Sequence, residues 1–324
     1  MENQNSGQEQ NNTVEITENT NQKNTEPDNN NTADNTENNK AAKKSKSKKP
    51  GKKKRKARYY IFESIRMVVM IAALCVFTYS SYELTNIYLD YQEGDDAYAN
   101  MEDQFLVPNI EVSDAEEPET DMYGNKISAG TAVAEFSFDF DALLQVNSSA
   151  VGWIKQENII SYPIIQGMDN TYYLSHNAAH QSNKSGAIFV DYRVQGGLEA
   201  RNCIIYGHDM LNNSMFGSLI KYGNESYYQS HKTFDIYVGH ELYRYYVFAA
   251  YETDEVGYTY TYNFNTDEEF QAYIDDCMGR RLYGTDIGTN VSVNDKIITL
   301  STCTRHDDTK RFIVQLVRGE KVEQ

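Results

Sequence analysis

Between positions 40 and 60 the chain carries twelve basic residues and no acidic one, and an apolar run follows at once. The centre of that run, positions 67–77, reads Met-Val-Val-Met-Ile-Ala-Ala-Leu-Cys-Val-Phe and holds no charge. That centre alone is short for a bilayer, which needs about 20 apolar residues. Counting from Tyr59 to Tyr82 supplies the length, and Tyr59, Tyr60, Tyr79 and Tyr82 then sit where interfacial aromatics belong. Glu63 and Arg66 are three apart, so they can pair on one helix face or snorkel. Residues 59–82 are therefore expected to form a single transmembrane signal-anchor helix. Positive charge before the span and none soon after it predict a cytoplasmic N-terminus and an extracellular remainder. A cleaved signal peptide fits poorly, because the n-region would be 58 residues long and no A-x-A site follows. A nucleic-acid patch is the competing reading of the basic block; the adjoining apolar span disfavours it.

The charge of the whole chain, −17 over 324 residues, hides this segregation. Residues 1–39 carry −7, residues 40–60 carry +12 and residues 61–324 carry −22. An acidic exterior argues against a nucleic-acid partner and favours an amine over an anion. Five Pro and 19 Gly exclude a collagen-like fibre, and four Cys are too few for a disulfide scaffold.

Residues 1–39 contain thirteen Asn and four Gln, with almost no aliphatic side chain. Such a tail cannot bury enough apolar surface to offset its ordering entropy, so disorder is expected. Residues 40–58 read as a basic juxtamembrane segment, residues 83–132 as an acidic stalk and residues 133–324 as the globular part. Within that part, 138–146 reads as a short amphipathic helix and 171–177 as a helical turn. Strands are expected at 153–155, 159–166, 187–192, 203–206, 234–238, 242–251, 296–301 and 312–317, as short apolar or alternating runs. Residues 266–282 show a helix pattern, with Thr266 as N-cap, Glu269 completing a capping box, and Phe270, Tyr273, Ile274 and Cys277 on one face. Many short strands with one substantial helix predict a mainly β protein, a barrel with helical insertions.

Cys75 lies in the span, which leaves Cys203, Cys277 and Cys303 outside it, an odd number. Cys203 sits in an apolar strand and Cys277 on the apolar helix face, so both read as buried hydrophobes. Cys303 ends a strand and meets a polar loop, a common place for a reactive side chain. His208 has the same placement after Ile204-Ile-Tyr-Gly. Arg311 opens the next strand after a short loop, so a hairpin would bring it beside Cys303. A thiolate beside an imidazolium is a nucleophile, and a guanidinium fork can hold carbonyls or a developing oxyanion. Other sites are weaker. His176 and His180 have zinc-like spacing but no third ligand, and Glu252, Asp254 and Glu255 lack an EF-hand loop. No metal and no cofactor are expected.

Tyr206-Gly-His208, Thr299-Leu-Ser-Thr-Cys303 and Arg311-Phe-Ile-Val resemble the sortases, membrane-tethered cysteine transpeptidases of Gram-positive bacteria. Val151-Gly-Trp-Ile, Ser161-Tyr-Pro-Ile-Ile-Gln-Gly167, Gly186-Ala-Ile-Phe-Val-Asp191 and the helix at 266–282 are similar to class B. The resemblance implies an eight-stranded sortase barrel with N-terminal helices and one long helix before the cysteine strand. It implies Cys303 as nucleophile, His208 as general acid and Arg311 for substrate positioning and oxyanion stabilisation. It implies substrate contacts at Asn170, Leu174, Ser301, Tyr258 and Tyr260. The implied reaction cleaves the sorting signal of a secreted protein after Thr, through a thioester. A peptidoglycan cross-bridge amine then resolves it, or a pilin Lys in the pilin-polymerising alternative. A tethered cysteine protease and a non-catalytic surface binding module are the other readings. Arg305 stands where an acidic assistant is discussed for the family, which leaves no evident fourth catalytic carboxylate.

Overall fold

The structure, a computed structural model, describes residues 52–109, 135–156, 158–286 and 291–322. The expected disordered tail and most of the basic segment lie outside the described residues. In chain order the elements are α1 (Lys52–Phe105), β1 (Leu106–Asn109), β2 (Glu135–Phe138), α2 (Phe140–Val146), β3 (Ala150–Gln156), β4 (Ile160–Ile165), β5 (Ile188–Val190), β6 (Asn202–Tyr206), α3 (Glu225–Ser230), β7 (Thr233–Val238), β8 (Glu241–Asp254), α4 (Asp267–Arg280), β9 (Ile297–Cys303) and β10 (Lys310–Lys321). Eight strands close a barrel in the order β10-β8-β7-β3-β4-β5-β6-β9, as expected. Most neighbours are antiparallel, but β4–β5 and β6–β9 are parallel. β1 and β2 form a separate two-stranded ladder.

Part of α1 is apolar and exposed along residues 59–82, and by length and composition it can cross a membrane. Glu63 and Arg66 pair at 3.5 Å, as their spacing predicts. The far end of α1 differs from the expected stalk. Tyr98, Met101, Phe105 and Leu106 are buried in the main core, within the unit that runs from Val68 to Gln324. The Tyr98 hydroxyl donates to the Gly186 carbonyl at 2.5 Å, and Lys155 pairs with Glu102 at 2.8 Å. The acidic composition of this stretch conceals an apolar stripe at i, i+3 and i+7 spacing, which supplies the burial.

The helix expected at 138–146 starts two residues late. Phe138 ends β2, and Asp139 caps α2 by accepting from the Ala142 amide at 2.9 Å. Thr266 caps α4 as expected, accepting from the Glu269 amide at 3.2 Å, a contact typically worth about 1 kcal/mol. The Glu269 carboxylate reaches the Asn265 amide at 2.8 Å, one residue before the partner a capping box would use. Asp267, Glu268 and Glu269 in the first turn also suit the helix dipole. The inner face of α4, with Phe270, Tyr273, Ile274 and Cys277, packs on β8, β9 and β10 in a second core.

Candidate active site

Three strand ends meet at one rim of the barrel. β9 runs parallel to β6, with Tyr206 opposite Ser301, and the Gly207 amide donates to the Ser301 carbonyl at 3.2 Å. His208 and Cys303 therefore leave their strands side by side, each two residues beyond that pair. On its other side β9 is antiparallel to β10, and Arg311 stands directly opposite Cys303. The hairpin expected from the short loop is present.

Gly207 is required where it stands. A side chain there would put Cβ 2.5 Å from Ile188 and 2.6 Å from Phe216, so glycine lets the strand pass under its neighbours and deliver the histidine. The histidine Nε2 lies 2.8 Å from the Leu174 carbonyl. A carbonyl only accepts, so that nitrogen carries a proton. Gly186 supports the same contact with φ of +60°, and a Cβ there would approach the Tyr173 and Leu174 carbonyls and the His208 ring.

The four cysteines are free, and they differ sharply in setting. Burial pushes the Cys203 thiol well up. Burial also pushes Cys277 up, to about 11, although hydrogen bonds with Tyr251 and Tyr273 pull the other way. Cys303 is exposed at the rim. Arg311 is braced by its own hairpin. Nη1 donates to the Asp308 and Lys310 carbonyls at 2.6 and 2.9 Å, and Nη2 to Glu255 at 3.1 Å. The acidic run Glu252, Asp254 and Glu255, which lacks an EF-hand loop, is a row of ion-pair partners. Glu252 faces His306, Asp254 pairs with Lys310 and Glu255 with Arg311. His176 and His180 flank the Tyr172 ring, and no metal-holding cluster occurs among the described residues.

The residues expected to touch substrate divide into groups. Leu174 has an exposed side chain, and its backbone carbonyl meets the His208 ring. Ser301 is buried on β9, with its hydroxyl 3.0 Å from that of Tyr260. Burial raises the Tyr260 phenol, the Ser301 bond lowers it, and Arg311, Cys303 and Glu255 all lie within electrostatic reach. Asn170 accepts from the Tyr192 amide at 3.0 Å and ties together the two loops beside Leu174. Tyr258 leans the other way, edge-on against Tyr273 of α4, with Asp276, Cys277 and Glu269 as its titratable neighbours.

Two features escaped the sequence. One is Glu255 as the brace of Arg311. The other is Arg305, which grips Asp209 immediately after the histidine, with Nε 3.0 Å from each carboxylate oxygen and Nη2 2.8 Å from Oδ1. Opposite charges close to each catalytic candidate were the available signal, but the β6–β9 pairing makes Arg305 and Asp209 neighbours and the β8–β10 pairing does so for Glu255 and Arg311.

An exposed thiol, an imidazole and a guanidinium stand on adjacent strand ends of a closed barrel, groups whose chemistry suits cysteine acyl transfer. A family model described as the sortase domain matches residues 160–318. Sortase B of Listeria monocytogenes is 30% identical over 263 residues, which is 80% of this chain and 97% of the relative. Sortase B of Staphylococcus aureus is 33% identical over 178 residues, 54% of this chain and 72% of the relative. The Bacillus anthracis sortase B structure in complex with AAEK1 superposes with a TM-score of 0.57 at 30% identity, covering 72% of this chain and 99% of that one. The S. aureus sortase B–substrate complex gives 0.52 at 33% identity, covering 57% and 85%. The chain belongs to the sortase family, in class B, and is a cysteine transpeptidase.

Proposed function

We propose that this enzyme is anchored by α1 with its N-terminus in the cytoplasm and its barrel outside the cell. On that outer side it cleaves the C-terminal sorting signal of secreted proteins after Thr and transfers them to a peptidoglycan amine. The observation that carries the reading is the shared rim: Cys303 in register with Arg311 on one side and flanked by the His208 strand on the other. The S. aureus relative has been solved with its substrate, and a sortase B structure 33% identical to this chain is a complex with triglycine.

The chemistry follows from the groups at hand. The Cys303 thiolate attacks the Thr carbonyl carbon, and the carbonyl electrons move to oxygen. Arg311 donates to that oxyanion, which a fixed fork stabilises better than a point charge. His208 gives its proton to the departing amide nitrogen, the C–N bond breaks, and a thioester remains on Cys303. The acceptor amine then attacks the thioester carbonyl, loses its proton to His208 and expels the thiolate. Leu174, Ser301, Asn170 and Tyr260 line the approach in this reading, with Tyr258 further out toward α4. Glu255 keeps the Arg311 fork beside the thiol.

The test uses the full-length protein with a library of peptides carrying a fixed scissile Thr, and triglycine as acceptor, with products read by mass. Triglycine adducts at Thr are expected. Hydrolysis alone, undiminished by triglycine, overturns transpeptidation in favour of a protease.

A further inference from the structure

Arg305, like Arg193 on Asp191, is an exposed cation paired with a carboxylate that is nearly out of water. Its partner Asp209 has a side chain only 3% exposed, whereas Arg305 is 37% exposed. The guanidinium makes more than the three contacts to the carboxylate. Nη2 also lies 3.1 Å from the Met210 carbonyl, 3.4 Å from the Gly217 carbonyl and 3.5 Å from Asn213 Oδ1. It therefore fills the turn of the loop that follows His208. That loop closes on the histidine itself: the Phe216 amide donates to the His208 carbonyl at 3.0 Å, and Asp209 bridges to Met215. At its other end Arg305 belongs to the turn after Cys303. That turn is held by the Thr304 amide on the Lys310 carbonyl at 3.3 Å and the Thr304 hydroxyl on the Asp307 carbonyl at 2.7 Å.

The backbone tie between β6 and β9 reaches Gly207 and Ser301. His208 and Cys303 lie beyond it, on strand ends that the parallel ladder does not clamp. Asp209 follows one of them by one residue and Arg305 follows the other by two. We propose that the Arg305–Asp209 pair fixes the separation of the His208 and Cys303 strand ends, making both members positioning residues for acyl transfer. The proposal rests on the reading of Cys303 and His208 as the reacting pair.

The pair suits that task physically. A bidentate guanidinium–carboxylate contact fixes angle as well as distance. A charge pair with one side out of water adds little net stability and much geometric definition. Misplacing reacting groups by about 1 Å costs on the order of a hundredfold in rate.

Four full-length proteins in detergent test it: wild type, Arg305→Ala, Arg305→Lys and the double variant Arg305→Ala/Asp209→Asn. The double variant removes both charges, so it leaves no unpaired buried carboxylate to prevent folding. The assay is the Thr-peptide library with triglycine. For the double variant kcat is expected to fall about 10–100-fold, with KM within about twofold and the thermal midpoint close to wild type. Arg305→Ala is expected to regain at least a third of the lost rate in millimolar guanidinium chloride, and Arg305→Lys to remain slow. A double variant with wild-type kcat overturns the proposal. So does a rate loss in Arg305→Ala that guanidinium leaves unchanged in folded protein. Cys303→Ala separates the two readings: if it retains turnover, the site assignment itself fails, whatever the Arg305 variants do.

Discussion

Strand β9 passes through two opposite environments within four residues. At Thr299 it runs through a closed polar network in the second core. The Thr299 hydroxyl lies 2.8 Å from Asn202 Oδ1 and 3.0 Å from Gln315 Oε1. Asn202 and Gln315 both donate to Tyr273, and Gln315 also donates to Tyr251. Cys277 is sealed beside them and accepts from Tyr251 at 3.4 Å. At Cys303 the same strand reaches water, among charges that pair with one another. One thiol is quenched by burial and the other is open to substrate, so setting decides reactivity where residue type does not.

The comparison can be broken most directly at the rim. Cys303→Ala is expected to lower acyl transfer by about 10⁴-fold or more while the protein stays folded, since Cys203 and Cys277 cannot substitute. Mass detection of triglycine adducts and circular dichroism check the two halves. Arg311→Lys is expected to cost about 10²–10³-fold in kcat, because a point charge replaces the fork that Glu255 and the hairpin carbonyls brace. Single-turnover kinetics would measure it, and a rate within threefold of wild type would remove the oxyanion role.

The core end responds in stability instead. Gln315→Leu leaves Thr299, Tyr251 and Tyr273 short of a buried partner, with an expected loss of about 1–3 kcal/mol. Urea unfolding reads the loss, and kcat is expected to stay within about twofold. The smallest effect is a pH slope. Burial alone would raise the Asp191 carboxyl, but Arg193 hydrogen bonds from side chain and backbone, with the Tyr206 hydroxyl, outweigh it and hold the group below its usual range. Its contribution is therefore full above the ordinary carboxylate range and is lost as pH falls through the lowered folded value. Asp191→Asn is expected to be less stable than wild type at pH 7, with the gap narrowing below about pH 4. A constant gap from pH 7 to 3 would contradict that sign.

Much of the rim was legible because it is local. The short loop from Thr304 to Thr309 sets the Cys303–Arg311 pairing, and strand-end placement singled out His208. Strand-end placement allowed His208 and Cys303 to meet across a barrel rim and the family motifs favoured it, but the parallel pairing itself, across some ninety residues, leaves no local trace. Arg305–Asp209 was hidden for the same reason, and Glu255–Arg311 because it depends on the antiparallel β8–β10 pairing between residues 56 apart. The core reaches back before residue 133 because Tyr98, Met101 and Phe105 form an apolar stripe that the acidic composition of the stretch conceals.

With the barrel outside the cell, as proposed, the docking of Tyr98 onto the Gly186 carbonyl bears on where the enzyme can be shed from the surface. Gly186 leaves room for the Leu174 carbonyl that meets His208, so the Tyr98 bond ties the last turns of α1 to the residue next to that contact. A protease that cut at residues 83–89 would release a domain with the Tyr98 contact intact. A cut after Leu106 leaves those turns on the anchor and the barrel without a covalent hold on Phe105 and Met101. Which of the two segments is cut would then decide whether a released barrel keeps the Tyr98 contact.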